Sequence, residues 1–405
     1  MSEPVLVVLG AGEEQVVLYR EARRRGLRTV AVDMRSDRPG IPLADEFLLL
    51  STTDAPAIAS ALDGRDVAGV VSTAADTCLA SWHELSVHFG TPWTYPATAA
   101  AVSMDKSAFH DLAASVGVPT YRWAQSDDLV SLTESARGMR FPLVVKPTDA
   151  SGCRGVLRVD SMSTLDHALA NAAASSPRGQ VIIEEYLAGE DYTVNVFVRA
   201  GELALSVITE KNIAPGPRFL IAGHTAPADL PADVEAALLD DALRLCLAMG
   251  LTDGPANFDV IITPDGTRYT LEVGARMSGN GFPQLARAMA GVDCVRALVD
   301  LAVGEPFSVR PEHSRVARLH VLTSPLDVPA ELVSLGDLAE VAALPVVDAV
   351  DVFAAPGDIV QPFTEAGRKL GWVVVSVADR ADLPAALETA LSAVDIRLEP
   401  AAVSV

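Results

Sequence analysis

The chain has 405 residues, and its 53 acidic and 31 basic side chains give a formal charge of −22 at pH 7. The length predicts about two or three domains, and the negative charge argues against a nucleic-acid partner, because binding a phosphate backbone requires a cationic surface. Apolar runs are short and interrupted by charges, and the first residues lack a secretory signal, so we expect a soluble, cytoplasmic protein with no membrane partner.

Residues 1–96 alternate strand and helix patterns. Apolar runs at Val5–Leu9, 29–33 and 69–72 are typical of strands, and a helix pattern covers 13–25. Alternation of this kind predicts parallel strands joined by crossover helices. We therefore expect the chain to begin with an α/β domain.

The turn after the first strand reads Gly10-Ala11-Gly12-Glu13-Glu14-Gln15. With Asp33 at the end of the second strand, it resembles a dinucleotide-binding fingerprint, but Gln15 replaces the third glycine. The pattern leaves two interpretations open. The turn binds NAD, or it is a tight strand-to-helix connection without a ligand.

The remainder of the chain divides into segments of different pattern. A helix pattern covers 97–116 and ends at Gly117-Val118-Pro119, which is typical of a helix stop. Residues 120–187 have a compact mixed pattern, and 191–273 are rich in strands. From about residue 307 onward, strands and helices are mixed again, so the whole chain is predicted to be of mixed α and β content.

An apolar strand at 141–147 ends in Lys146, and the loop Ser151-Gly152-Cys153-Arg154-Gly155-Val156 follows it. Backbone amides approach phosphate oxygens closely only where side chains are absent. A strand-borne ammonium followed by a glycine-rich turn therefore favours triphosphate binding. An ordinary β-hairpin is the alternative.

Lysine is scarce in this chain. It has four lysines against twenty-seven arginines, at positions Lys106, Lys146, Lys211 and Lys369. A lysine that persists in such a composition is a candidate for a place that needs a compact ammonium group, with chance retention on the surface as the alternative.

Acidic residues recur in otherwise apolar strands. Glu184 and Glu185 end an apolar run, and Asp191 follows after a short linker that can offer backbone groups to a base and a carboxylate to a ribose. Asp259 and Glu272 lie in two runs joined by a turn at 264–266, so the two strands are predicted to be neighbours. Buried acids are costly unless they are paired or bind a metal, and Mg²⁺ prefers oxygen ligands. The pattern predicts a magnesium site, with a buried ion pair to arginine as the alternative.

In this order the motifs resemble those of ATP-grasp enzymes, over roughly residues 1–300. The resemblance implies an ATP-grasp fold, α/β overall and α+β in the ATP-binding part. It implies four domains: a Rossmann-like pre-ATP-grasp domain (1–96), a central or lid domain (97–190), a catalytic domain (191–305) and a small α/β closing domain (306–405).

The resemblance also implies roles for individual residues. It assigns ATP binding to Lys106, Lys146, Ser151, Gly152, Gly155, Val156, Glu184, Glu185, Tyr186, Leu187 and Asp191. It assigns Mg²⁺, with Mn²⁺ as a substitute, to Asp259 and Glu272, and catalysis to Arg276 and Lys146. The residues themselves suggest substrate contacts for Lys211, His224, Arg276, Ser278 and Gly279. For Lys211 the alternative is contact with solvent only, and for His224 it is a surface or hinge position without a ligand.

The implied activity is ligation of a small-molecule carboxylate to a small-molecule amine through an acyl phosphate, with release of ADP. The segment 367–373 resembles the closing domain of amino-acid ligases, which favours amino-acid-like substrates, and the family suggests a homodimer. Two positions depart from the family pattern. Gly274 occupies the place of an asparagine that is a metal ligand in many members, and Asp191 replaces a glutamate.

The sequence leaves three other functions open. A purine-type ATP-dependent carboxylase is the nearest, although the proline-arginine-histidine segment usual after the metal glutamate is replaced here by Ala275-Arg276-Met277. An NAD-dependent oxidoreductase would use the first βαβ unit but would leave the later motifs unexplained. A nucleotide-binding protein without catalytic activity is the third alternative.

Overall fold

A computed structural model describes residues 3–148, 155–215 and 219–401 of the chain. In these ranges the chain forms four β-sheets with helices packed on them. None of the described helices combines the length and the apolar character that crossing a bilayer requires.

The N-terminal sheet is parallel and buried on both faces. Its strands and helices are β1 (Val5–Leu9), α1 (Val16–Arg24), β2 (Arg28–Asp33), β3 (Glu46–Leu49), α2 (Ala55–Ala61), β4 (Val67–Val71) and α3 (Leu79–Phe89). The strand order is β3-β2-β1-β4. Every residue of β1 is buried, as expected for a parallel strand covered by helices on both sides.

A second, antiparallel sheet follows with its own small core. Its elements are α4 (Ala97–Met104), α5 (Lys106–Ser115), β5 (Trp123–Ser126), α6 (Leu129–Ala136), β6 (Leu143–Pro147), β7 (Leu157–Val159), α7 (Leu165–Ser175) and β8 (Val181–Glu185). The strand order is β5-β8-β6-β7, and helices α6 and α7 cover one face. We call it the small sheet.

The helix predicted over 97–116 is two helices in the structure. Asp105 leaves the helical conformation, with φ −132° and ψ 112°, and its carboxylate accepts hydrogen bonds from the backbone N–H groups of Ser107 and Ala108. This N-cap ends α4 and starts α5 in a new direction. Lys106 is thereby fixed as the first residue of a helix.

The C-terminal half adds a large sheet and a minor one. Its first elements are β9 (Glu190–Arg199), β10 (Glu202–Ile213), β11 (Ile221–Ala226), α8 (Ala232–Ala248), β12 (Gly254–Ile262), β13 (Arg268–Gly274), α9 (Phe282–Ala290) and α10 (Cys294–Ala302). The rest are β14 (Val316–Leu322), β15 (Ala330–Ser334), α11 (Leu338–Ala342), β16 (Val347–Val352), β17 (Ile359–Val360), β18 (Gly371–Val377), α12 (Leu383–Val394) and β19 (Arg397–Pro400).

Eight of these strands form one sheet, which we call the large sheet, in the order β13-β12-β9-β10-β11-β14-β18-β16. The minor sheet has the order β17-β15-β19. The predicted mixture of α/β and α+β architecture is confirmed. The four-domain division stays a proposal. Two of its boundaries divide the large sheet: the boundary at 190/191 falls inside β9, and the boundary at 305/306 separates strands that belong to this one sheet.

Candidate active site

Three of the four lysines are paired with acids in the cleft between the small sheet and the large sheet. The pairs are Lys106 with Glu272, Lys146 with Glu184 at 2.6 Å, and Lys211 with Asp259 at 2.7 Å. The lysine side chains are 18%, 14% and 6% exposed, respectively. Their acid partners are 47%, 5% and 27% exposed, so water screens the pair of Lys146 and Glu184 least, and that pair interacts most strongly.

Strand register brings the two candidate metal ligands together. Asp259 on β12 lies directly opposite Glu272 on β13, and the predicted neighbouring strands are therefore confirmed. The hydroxyl of Thr193, on the other neighbour of β12, donates to Asp259 Oδ1 at 3.2 Å. Side chains of cross-strand partners share a face of the sheet, so all three residues face the cleft.

The cleft contains a cavity of about 1170 Å³. Most of the residues predicted to bind ATP and metal line it: Lys106, Lys146, Val156, Glu184, Glu185, Tyr186, Leu187, Asp191, Asp259 and Glu272. Lys211, predicted as a substrate residue, lines this cavity as well.

Predicted loop residues fall in two groups. Ser151 and Gly152 lie outside the described residues. Gly155 is described, with φ +72°, but it is not part of the cavity wall. A Cβ at Gly155 would lie 2.6 Å from Cβ of Ser175, so packing against α7 already requires glycine at this position.

The carboxylate of Glu184 is the centre of a buried polar cluster. It pairs with Lys146, it accepts from Tyr121 Oη at 3.3 Å, and His110 Nε2 lies 3.7 Å away. Burial alone raises the pKa of Glu184, but Lys146, His110 and Lys106 outweigh it and lower the pKa to about 2. Glu184 is therefore ionised, and its carboxylate is occupied by Lys146.

Glu185 has a different surrounding from Glu184, because successive residues of a strand point to opposite faces. Its Oε1 accepts from the backbone N–H of Arg140 at 2.8 Å. The neighbouring ring of Tyr186 lies under the guanidinium of Arg158, 4.5 Å from its centroid. These contacts hold the strand end that forms one side of the cavity.

Nearby lysines control the ionisation of Glu272. Lys106 makes the largest contribution in lowering its pKa, burial opposes it, and Lys146 and Lys211 add to the effect of Lys106. Asp191 shows the opposite behaviour, because burial raises its pKa more than Lys211 lowers it. The carboxyl group of Glu272 is therefore ionised at neutral pH.

A second cavity, of about 620 Å³, adjoins the first at Ile221, Asp259 and Glu272, which line both. Its other residues are Thr193, Asn195, Thr209, His224, Asn257, Arg276, Ser278, Gly279, Asn280, Phe282, Leu285 and Leu319. Four of the predicted substrate residues, namely His224, Arg276, Ser278 and Gly279, are in this wall.

Arg276 is held from two sides. Its Nη2 donates to Asp76 Oδ2 at 2.8 Å. On the other side, its guanidinium occupies the position that a side chain at residue 274 would take, which is open because Gly274 has none. A Cβ at Gly274 would lie 2.8 Å from both Cζ and Nη1 of Arg276. The amide of Asn257 donates to the backbone oxygens of Gly274 and Arg276 at 2.9 and 2.8 Å.

Comparison with known proteins identifies the family. Residues 139–284 match the model of an ATP-grasp domain, and residues 324–399 match that of L-amino acid ligase C-terminal domain 2. A D-alanine–D-alanine ligase of Gloeobacter violaceus is 32% identical over 209 residues, which cover 48% of this chain and 67% of that protein. The chain belongs to the ATP-grasp superfamily.

Solved structures agree with this ATP-grasp assignment at the level of the fold. The L-amino acid ligase of Bacillus licheniformis superposes with a TM-score of 0.81 over 99% of this chain and all of that chain, at 20% identity. The biotin carboxylase domain of the Hydrogenobacter thermophilus 2-oxoglutarate carboxylase, solved with MgADP, has a TM-score of 0.79 at 15% identity and covers 98% and 92% of the two chains. The chain is an ATP-dependent carboxylate–amine ligase that forms ADP.

The ATP-grasp family uses ATP with Mg²⁺, and the residues present fit that requirement. Asp259 and Glu272 offer carboxylate oxygens on opposed strands beside the larger cavity. Among the described residues, no group of three or more acidic, histidine or cysteine side chains gathers at one point. A metal held by the two carboxylates would complete its coordination with phosphate oxygens and water, as Mg²⁺ usually does.

The N-terminal glycine-rich turn is filled by its own side chains. The backbone N–H of Ala11 donates to Asp33 Oδ2 at 3.0 Å, and Gly12 donates to Gln15 Oε1 at 3.0 Å. Gln15 Nε2 in turn donates to the backbone oxygen of Thr73. The amides that a dinucleotide phosphate would need are engaged, which argues against the NAD alternative.

Several polar residues of the site were not predicted. Two of them, Asn195 and Asn257, are buried amides within apolar strands, and the reasoning applied to Asp259 would have found them. Asn195 Oδ1 accepts from Ser278 Oγ at 2.6 Å. Asp76 and His110 carry no comparable signal, since neither interrupts an apolar strand.

We predict that Gly274→Ala lowers kcat for ADP release by about tenfold or more, because the new methyl group displaces the guanidinium of Arg276 from Asp76. The long side chain of Arg276 can move, so the melting temperature is expected to change little. Gly367→Ala is the matched control, since a Cβ there meets open space. Wild-type kcat in Gly274→Ala would contradict this account.

His224 is expected to make stability depend on pH. Burial, followed by the nearby Lys211, lowers its pKa from 6.5 to about 4, with Asp259 opposing. Between about pH 7 and 4 the unfolded chain therefore takes up a proton that the folded chain does not, and the free energy of unfolding falls by about 3 kcal/mol through this group. In urea unfolding measured across this pH range, the free energy of unfolding of His224→Gln should fall less steeply with decreasing pH than that of the wild type. Identical pH profiles for the two proteins would refute the assignment.

Proposed function

We propose that the chain joins the carboxylate of one amino-acid-like substrate to the amine of another, forming an amide or peptide bond with release of ADP and phosphate. The observation that carries this proposal is the junction of the two cavities at Asp259 and Glu272. ATP would occupy the larger cavity, with its terminal phosphate at the junction. The carboxylate would enter from the smaller cavity, so that phosphate and carboxylate meet beside the metal ligands.

The chemistry requires activation, because a carboxylate is a poor electrophile. An oxygen of the carboxylate attacks the terminal phosphorus of ATP, ADP leaves, and an acyl phosphate forms. The amine nitrogen then attacks the acyl carbon, phosphate leaves with its bonding electrons, and the amine loses a proton. Bound Mg²⁺ would neutralise phosphate charge during the transfer.

The residues of the site would act by position and charge. Lys106 and Lys146 reach the larger cavity, where their ammonium groups would bind phosphate oxygens. Arg276, fixed by Asp76 in the wall of the smaller cavity, would stabilise the transferred phosphate. No side-chain nucleophile is needed for this route.

The composition of the smaller cavity favours a substrate with an uncharged side chain. One part of its wall is apolar and consists of Ile221, Phe282, Leu285 and Leu319. Asn195, Asn257 and Asn280 make the rest of the wall polar without adding charge, and the lowered pKa of His224 keeps that side chain neutral at pH 7. An apolar amino acid matches this combination in size and polarity.

A carboxylase that activates bicarbonate is the second candidate. Its support is the fold similarity to a biotin carboxylase domain. The match of residues 324–399 to the L-amino acid ligase domain favours the peptide-forming activity. We further propose that Mn²⁺ can replace Mg²⁺, that the protein is a homodimer, and that it is cytoplasmic.

The proposal predicts which substrates release ADP. With Mg-ATP, ADP should form only when a carboxylate and an amine are both supplied, and pairs of apolar amino acids should be the best substrates. Coupled ADP detection tests this with an N-acetyl amino acid as the carboxylate alone, an amino-acid amide as the amine alone, and free amino acids in pairs, and mass spectrometry identifies the product. ADP release that depends on bicarbonate would instead favour the carboxylase, and no release with any combination would refute both.

Lys146→Ala and Glu272→Ala should each lower kcat/KM for ADP release by about two orders of magnitude or more, because each removes a charge from the transferred phosphate or its metal. Circular dichroism should show a folded protein in both cases. Arg137→Ala is the control, since Arg137 follows the last residue of α6, its side chain is 65% exposed, and it pairs with Glu134 on that helix. Full activity in either site variant would reject the assignment.

A further inference from the structure

The fourth lysine, Lys369, lies in a buried cluster formed by three distant parts of the chain. Its ammonium donates to Glu14 Oε1 and to Asn280 Oδ1, the latter at 2.6 Å. The backbone N–H of Asn280 also donates to Glu14 Oε1, at 3.0 Å. The side chain of Lys369 is 11% exposed and that of Glu14 is 21% exposed. We call these three residues the clasp.

The clasp holds a loop that forms part of the smaller cavity. Residues 275–281 connect β13 to α9, and Arg276, Ser278, Gly279 and Asn280 from this loop line the cavity. Asn280 has φ +53°, a left-handed conformation that is uncommon outside glycine. Such a conformation persists where surrounding contacts fix it, and the clasp contacts both the backbone and the side chain of Asn280.

The middle of the loop is anchored by two residues that follow β4 of the N-terminal sheet. The backbone N–H of Ala74 and the hydroxyl of Thr73 donate to the backbone oxygen of Met277 at 3.2 and 3.3 Å. Lys369, in the C-terminal region of the chain, stabilises the loop from another side. Its ammonium lies 5.1 Å from the ring centroid of Trp372, and a Cβ at Gly281 would lie 3.1 Å from that ring.

The arrangement argues against a direct substrate contact for Lys369. Neither Lys369 nor Glu14 lines the cavity, whereas Asn280 does. The ammonium already has a carboxylate and an amide oxygen as partners, so its charge is compensated within the protein. Its effect on the cavity must therefore pass through the loop.

We infer that Lys369 is a positioning residue, which, through Glu14 and Asn280, fixes the substrate loop and so sets the affinity for the amino-acid substrate without affecting ATP binding. This inference rests on the proposed function for its kinetic consequence. Its structural consequence, an ordered loop at 275–281, does not depend on which substrate the enzyme uses.

The kinetic test compares Lys369→Met, Glu14→Gln and Lys369→Arg with the wild type, using the amino-acid pair that the ADP assay selects. Lys369→Met is expected to raise KM for one amino acid by about tenfold and to lower kcat by less than that, because Asp76 holds Arg276 independently of the clasp. The Kd for a fluorescent ATP analogue is expected to change by less than about threefold. Glu14→Gln should raise the same KM, and Lys369→Arg, which retains the charge, should partly restore it. Arg368→Met is the control, since Arg368 is next to Lys369 in the chain but pairs locally with Glu365.

Glu14→Gln separates this role from direct binding of a substrate anion. If Lys369 bound the substrate, removing the charge of Glu14 would free the ammonium and lower KM, and that result would overturn the inference. Unchanged KM in Lys369→Met would also overturn it. Should Lys369→Met fail to fold, Glu14→Gln and Lys369→Arg provide the same comparison.

Hydrogen exchange provides a measurement that needs no substrate. Lys369→Met is expected to increase amide exchange in the peptide covering 275–281 by about tenfold or more, with no change in β12. Unchanged exchange would overturn the inference even if the enzyme released no ADP with any substrate. Increased exchange without any ADP release would support the clasp and reject only the proposed function.

Discussion

The site depends on charge compensation within the cleft. Three of the carboxylates in the cleft are paired with lysines, and the pairing matters most for Glu184, which is 5% exposed, because moving a charge from water into a protein interior costs several kcal/mol unless an opposite charge accompanies it. Lys106, Lys146 and Lys211 supply those charges at hydrogen-bonding distance. The lysines lower the pKa of Glu184 and of Glu272, so these two acids are ionised before any ligand arrives. When Mg-ATP binds, phosphate oxygens can pair with the lysines and the metal can bind the acids, so that every charged group keeps a partner.

This compensation joins the two sheets that enclose the cleft. The pair of Lys146 and Glu184 belongs to the small sheet, and the pair of Lys211 and Asp259 belongs to the large sheet. Lys106, at the start of α5, reaches across to Glu272 on the large sheet. The N-cap at Asp105 fixes Lys106 as the first residue of α5, and from that position its side chain reaches Glu272. The break in the predicted helix therefore matters for the site.

The sequence was sufficient for some of these features. Two apolar runs joined by a short turn identify β12 and β13 as neighbours, and an acid in each places Asp259 near Glu272. The lysine partners were beyond such reasoning, because Lys106 and Glu272 are 166 positions apart and only the tertiary fold brings them together. The distinction between Glu184 and Glu185 depends on which face of β8 meets the cleft, and local pattern does not specify it. Likewise, the periodicity that predicts strands after residue 307 does not reveal that β14 and β18 extend the large sheet.

The burial of all four lysines gives this protein an unusual chemical surface. Lys106, Lys146, Lys211 and Lys369 have side chains that are at most 18% exposed, and each contacts an acid. Among the described residues, the positive charge of the exterior therefore comes mainly from arginine, whose guanidinium resists acylation. A reagent selective for primary amines therefore meets no freely exposed lysine, and any side-chain acylation reports on the accessibility of the catalytic cleft or of the clasp beside it.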